Sequence, residues 1–413
     1  MSIGIDAKPG ALAVQGYHHQ LAQRMRSLRV ARGWSQRQLA IRANLSPSTV
    51  SRLESGGRVE ISVSTLTSLA VALGCSTDDL VDITSAAADA FGTYQATPPA
   101  SNRIRHALIA TTLDSAPQGP AEPLPATAQR VVSVRRHRRA CDYRSAARQA
   151  AKAMESLHQH VHGPDGPLAL SLLGLLCFDT SAVLIGLQDL GTAWIAADRC
   201  RAVASRSDRT MVAVAGLAVS QVALRQRVAH RAMDVARCGL DNVAVGTVSD
   251  LAVTVMLHLT VAGAGSHAGA LSSPIVNHHL ACAEQAAPHA ERADDPLGLA
   301  VEPALVEQAR FGIAVRLGRI GSAQRHLRTL RGRLTREPAY RSQFFLDLAR
   351  FHLDQSDHHR ALDCLLLAEQ TAPQHAQSHP EAAEIIRRLS IVESDDATLR
   401  RVCGIWRRFQ PHN

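Results

Sequence analysis

Between Ser46 and Glu54 the sequence SPSTVSRLE sets three hydroxyls and one guanidinium, on Ser48, Thr49, Ser51 and Arg52, around the apolar Val50 and Leu53. At helical spacing Val50 and Leu53 turn inward, and the four polar groups are left on the outer face. A hydroxyl both donates and accepts, and arginine presents a planar fork of donors. Such a face can read hydrogen-bonding edges, and the Arg52 fork fits the O6 and N7 acceptors of guanine. Arg24, Arg26, Arg29 and Arg37 add charge suited to phosphate, which fixes orientation without reading bases.

The elements that must hold this face are legible from their caps. Apolar Leu21, Met25, Leu28 and Ala31 predict a helix over Leu21 to Arg32, stopped by Gly33. Ser35-Gln36-Arg37-Gln38 is a capping box for a second helix, whose Leu39, Ala40 and Ala43 face inward. Asn44-Leu45 makes the turn. Ser46 caps the third helix, and Pro47 takes the first helical position, where its missing N–H costs nothing. A fourth helix is expected from about Ser64 to Leu73, ended by Gly74, and Ser76-Thr77-Asp78-Asp79 caps a fifth.

Two short helices joined by a tight turn, the second polar outside, form a helix-turn-helix. The string SQRQLAIRANLSPSTVSRLESG, followed by TLTSLAVALGCSTDDL, resembles the Xre/Cro family. The resemblance implies a five-helix, lambda-repressor-like DNA-binding domain over residues 20–82. It places Gln36 at the family's phosphate-contacting glutamine, whose amide can also brace the recognition helix, and Ser48, Thr49, Ser51 and Arg52 on the face that enters the major groove. Glu54 matches the family's glutamate and takes a structural role. Pro47 departs from the pattern, because relatives often carry a long polar side chain there. The candidate DNA-contacting set is therefore Gln36, Arg37, Ser46, Ser48, Thr49, Ser51 and Arg52.

Residues 1–19 read as a loose tail, and residues 83–125, with Pro98-Pro99, Pro117, Pro120, Pro123 and Pro125, as a linker broken by a short helical piece from Asn102 to Ile109. Residues 126–413 read as an all-α, tetratricopeptide (TPR)-like solenoid. In residues 341–374, Phe345, Leu348, Ala349, His352, Ala361, Leu365, Ala368 and Pro373 fall at the spacing of that motif. Looser copies pair Ala232 and Ala236 with Val219, Ser220 and Ala223, Ala323 and Leu327 with Phe311 and Ala314, and Ala193 and Ala197 with Val183 and Leu184. Arg130 to Lys152 is a basic run suited to phosphate, to an acidic partner, or to solvent on the first solenoid helix.

A length of 413 residues suggests two to three domains, and scarce aromatics at 3% with abundant Ala, Leu, Val and Arg favour helices. The net charge of +9 attracts polyanions. The eight cysteines form no C-x-x-C pair and read as reduced thiols. Leu168 to Leu187 is apolar but carries Asp179, which points to a buried helix and not a membrane span. Gly263, Gly265 and Gly269 lack the strand a dinucleotide loop needs. His158, His160 and His162, and the pairs His278-His279 and His358-His359, read as surface histidines. No enzyme, metal or cofactor is expected. The expected protein is a cytoplasmic bacterial transcription regulator that binds double-stranded operator DNA as a homodimer. Its solenoid is expected to take a peptide, small-molecule or protein effector. The competing expectation is an interaction adaptor with secondary DNA binding.

Overall fold

In the computed structural model the chain forms two units, Met1–Ala96 with Gln410–Asn413, and Thr97–Phe409. The structure describes Ala22, Met25, Arg26, Arg29, Val30, residues 34–43 and 45–55, Thr65, Ser68, Leu69, Ala72 and Leu73 of the first unit. Of the second it describes residues 99–114, 122–243, 247–267, 273–290, 295, 297–330 and 332–391. Every described element is an α-helix. The expected tail, the fifth helix of the first unit, Arg24, and residues 83–98 lie outside the described residues.

In the first unit, α1 is Gln36–Arg42 and α2 is Pro47–Glu54. The local chemistry of the caps dictates both starts. Ser35 accepts from the Gln38 amide at 3.2 Å, while the Gln38 side chain takes the Ser35 amide at 2.7 Å, a reciprocal box that satisfies two free donors. Ser46 accepts from the Thr49 amide, with Pro47 in the first turn. Met25, Leu39, Ala40, Val50, Leu53, Leu69 and Leu73 close over each other as one core.

In the second unit, α3 is Pro99–Ala110, α4 Leu124–Arg139, α5 Tyr143–His160, α6 Gly166–Gly186, α7 Leu190–Ala204, α8 Arg209–Arg225 and α9 Ala229–Asn242. Further on, α10 is Val248–His267, α11 Ser273–Ala290, α12 Pro303–Arg316, α13 Ile320–Leu330, α14 Pro338–Leu353, α15 His358–Thr371, α16 Pro373–Ser378 and α17 Pro380–Ile391. From α4 to α15 the helices pair as successive hairpins, and the first helix of each hairpin also packs on the first helix of the next. Small residues permit the close pairing: Ala193, Ala197, Ala232, Ala236, Ala323, Ala349, Ala361 and Ala368 are all fully buried. A Cβ on Gly216 would lie 3.2 Å from the Gly239 Cα, so α8 and α9 meet backbone to backbone.

Three expectations need correction. The helical piece expected at Asn102 to Ile109 is longer and is not part of a loose linker: α3 packs on α5 and α7 and buries Ile104, Ala107 and Leu108 in the main core. Arg199 caps its end by donating to the Thr111 carbonyl at 2.8 Å. Helix α4 begins at Leu124, because Pro125 falls in a first turn, where proline is tolerated. Half of the basic run is internal bracing, while Arg136, Arg144, Arg148 and Lys152 are exposed. Arg135 and Arg138 donate to the fully buried Asp179 at 3.1 and 2.7 Å, Arg139 pairs with Glu337, and Arg130 with Glu122. Finally, His158 is buried, with Nδ1 on the Met154 carbonyl and Nε2 taking a bond from Arg199, and His279 is buried against His258. Neither is a surface group.

Among the described residues α6 is the one helix long and apolar enough to cross a membrane, yet 67% of its most apolar window is buried in this unit. It packs against α4, α5, α7 and α8. Gly263 and Gly265 lie inside α10, with no strand before them among the described residues.

The hairpin row is also tied end to end. The Tyr143 hydroxyl lies 2.8 Å from His375 Nδ1, Gln374 bonds the Arg144 amide and the Asp142 carboxylate, and Arg138 donates to the Gly298 carbonyl at 2.7 Å. Gly186 has no side chain because the Tyr143 ring occupies that space, and Gly312 none because the Asp347 carboxylate does.

Candidate nucleic-acid interface

The inner side of α2 is fixed by an ion pair. Glu54, with its side chain 2% exposed, takes two bonds from Arg29, Nε to Oε1 at 2.7 Å and Nη2 to Oε2 at 2.9 Å. Gln36 donates Nε2 to Oε2 of the same carboxylate at 2.8 Å, and Arg29 reaches back to the Trp34 carbonyl at 2.6 Å. This network joins three helical segments at one buried acid. Burial pushes the Glu54 carboxyl up, but the bonds from Arg29 and Gln36 and the charges of Arg29 and Arg26 outweigh it, and the net displacement is downward. The same pairing, chiefly the hydrogen bond to Glu54, raises Arg29.

Arg29 is therefore not a free phosphate contact, as its place in the sequence suggested; its guanidinium is spent internally. Its partner lies 25 positions away, so only the unusual buried glutamate in RLESG gave a signal. Gln36 is half-buried and has the bracing role that the resemblance implied for its amide. Trp34, not singled out in the sequence, supports Arg42, whose guanidinium carbon lies 4.4 Å from the ring centre.

The outer side is arranged differently. Ser48, Ser51 and Arg52 are exposed and stand three and four residues apart, one above another on a single face. Ser46 Oγ lies 2.8 Å from Ser48 Oγ and 2.7 Å from Thr49 Oγ1, so the structure gathers three of the candidate hydroxyls at the start of α2. Ser46 also holds the cap, which leaves its oxygen little capacity for another partner. Arg37 is exposed on α1, apart from this cluster.

Residues 25–80 match the model of a helix-turn-helix family. Comparison of the chain with curated proteins and with solved structures finds no match. The helix-turn-helix match, over a unit whose second short helix has one side locked and one side polar, supports a DNA-binding transcription regulator.

Proposed function

We propose that this chain is a cytoplasmic, sequence-specific transcription regulator and not an enzyme. In this reading Ser48, Thr49, Ser51 and Arg52 meet base edges in the major groove, Arg37 and Gln36 approach the phosphates beside it, and Ser46 serves the interface by capping α2. The observation that carries the reading is the two-sided α2: Val50, Leu53 and Glu54 are buried while Ser48, Ser51 and Arg52 stand exposed. Arg52→Ala weakens binding to a selected operator by about 1–3 kcal/mol and affects random-sequence DNA less. The measurement is a fluorescence-anisotropy titration on both duplexes at one salt concentration. Equal losses reduce Arg52 to a phosphate contact, and unchanged binding removes it from the interface.

The helical unit is read as a TPR-like stack that dimerises and senses a ligand. Support comes from α8–α9 and α14–α15, each close to the motif's period of about 34 residues, with alanines at the expected crossings. One recognition helix covers too few base pairs to address a genome, so two copies are expected on half-sites about one helical turn apart. Sedimentation of the complex together with footprinting checks this. A monomer on one half-site refutes it.

A further inference from the structure

Inside the helical unit, the C-terminal ends of successive first helices bring a row of basic groups together: Arg225 of α8, His267 of α10, Arg316 of α12 and Arg350 of α14. They are mutually close, since burial first and then the charges of Arg316, Arg227, Arg225 and Arg350 bring His267 down to about 4. Two of the three guanidiniums in the row have acids. Arg316 lies 3.3 Å from Asp347, and Arg350 lies 3.7 Å from Glu381. Arg225 makes no ion pair among the described residues, and the charges of Glu381 and Asp347 reach it only from further off, too weakly to offset its burial. Its one hydrogen bond goes to the neutral ring of His379, with Nη1 donating to Nε2 at 2.6 Å. A half-buried guanidinium with most of its donors unused and no carboxylate within pairing distance is a charge that awaits a counter-ion.

Beside it stands a second polar atom without a partner. His375, whose ring faces His379 at 5.6 Å, has its Nε2 shut off from solvent without a partner. Burial pushes Tyr143 up, so its hydroxyl keeps its proton; where that hydroxyl donates to Nδ1, the ring proton sits on Nε2. A buried polar atom without a partner is costly and is kept where something else supplies one.

We propose that Arg225 and His375 form an oxyanion site that binds the carboxylate of a small acidic ligand, with Arg225 as its counter-ion and His375 Nε2 as a neutral donor. One unmatched positive charge balances one carboxylate, whereas a phosphate dianion would keep a charge unpaired in the interior. Asp347 cannot serve in the ligand's place. It is engaged by Arg316, and burial together with the neighbouring Glu381 pushes it up to about 7. The ligand's carboxylate would bridge α8 and α16, which come from the middle and the end of the hairpin row. The inference rests on reading this unit as a sensor. Its test needs no DNA, so failure to bind the probe and failure to regulate are separate results.

The test is thermal unfolding of the full chain in acetate, against chloride at equal ionic strength. Acetate at about ten times its dissociation constant raises the melting temperature by about 2–6 °C. Arg225→Met removes the unmatched charge, so without acetate it melts at or above the wild-type temperature, and it loses the acetate response. Arg225→Lys keeps a reduced response. An acetate response preserved in Arg225→Met, no response in the wild-type chain, or a larger response to inorganic phosphate than to acetate each overturns the assignment. So does Arg225→Met melting several degrees lower without acetate, which marks the arginine as a structural strut.

Discussion

Glu54→Ala is expected to unfold the N-terminal unit and abolish DNA binding, although Glu54 faces away from the exposed side of α2. The substitution leaves Arg29, with its side chain 11% exposed, charged and without its acid, and it also frees the Gln36 amide. Removing one partner of a buried pair costs about 3–5 kcal/mol. A domain of this size holds only about 3–9 kcal/mol in total at typical per-residue stability. The loss is therefore comparable to everything the unit has. Circular dichroism of the residue 1–97 fragment and of its Glu54→Ala variant checks this, and a variant as stable as the parent would refute it. Glu54→Gln keeps the shape and costs less.

The same residue gives the unit an acid limit. Because the folded carboxyl sits below its ordinary value of 4.5, its stabilisation is complete above that value and is lost as pH falls through the folded one. The fragment is thus expected to melt lower at pH 3 than at pH 7, and Glu54→Gln to lose much of that difference.

The second large effect is expected at Asp179. It is fully buried in α6 and takes bonds from Arg135 and Arg138, whose side chains are 14% and 13% exposed. Asp179→Ala takes from both guanidiniums the buried acid they share and costs about 3–5 kcal/mol. For a unit of this size that lowers the melting temperature by on the order of 10 °C. Scanning calorimetry of the full chain reads it. The combined change Asp179→Leu, Arg135→Met and Arg138→Met, which removes all three charges, is expected to recover most of the loss. An Asp179→Ala chain that melts with the wild type would show that the network contributes nothing.

What was legible in the sequence is what is decided locally. The box at Ser35 and Gln38 and the cap at Ser46 need only three residues each, and the structure has both. The buried alanines of the hairpins were legible because helical spacing alone marks the crossing face. The fates of the arginines were not. Arg29 and Arg37 look alike in the chain, and only the partner 25 positions away shows that one is internal and the other exposed. Arg135 and Arg138 read as a basic surface for the same reason, since Asp179 lies on the next hairpin. Among the candidate contacts, the exposure of Ser48, Ser51 and Arg52 followed from the inward turn of Val50 and Leu53. The bond of Gln36 to Glu54 matches the bracing that only the family resemblance had suggested.

The ties between the first hairpin and α16 have a consequence for how the helical unit comes apart. In an open array each hairpin leans only on its neighbours, so terminal hairpins fray first and the array loses stability piecemeal. Here Tyr143 and Asp142, at the start of α5, are bonded to His375 and Gln374 more than two hundred residues later. Fraying at either terminus must therefore break contacts at the other, and neither end has a cheap local opening. The chain also pays for closing a very long loop before these bonds can form, which makes the last step of assembly slow and final disassembly all-or-none. Loosening the start of α5 therefore acts on α16 directly, without passing through the hairpins between them.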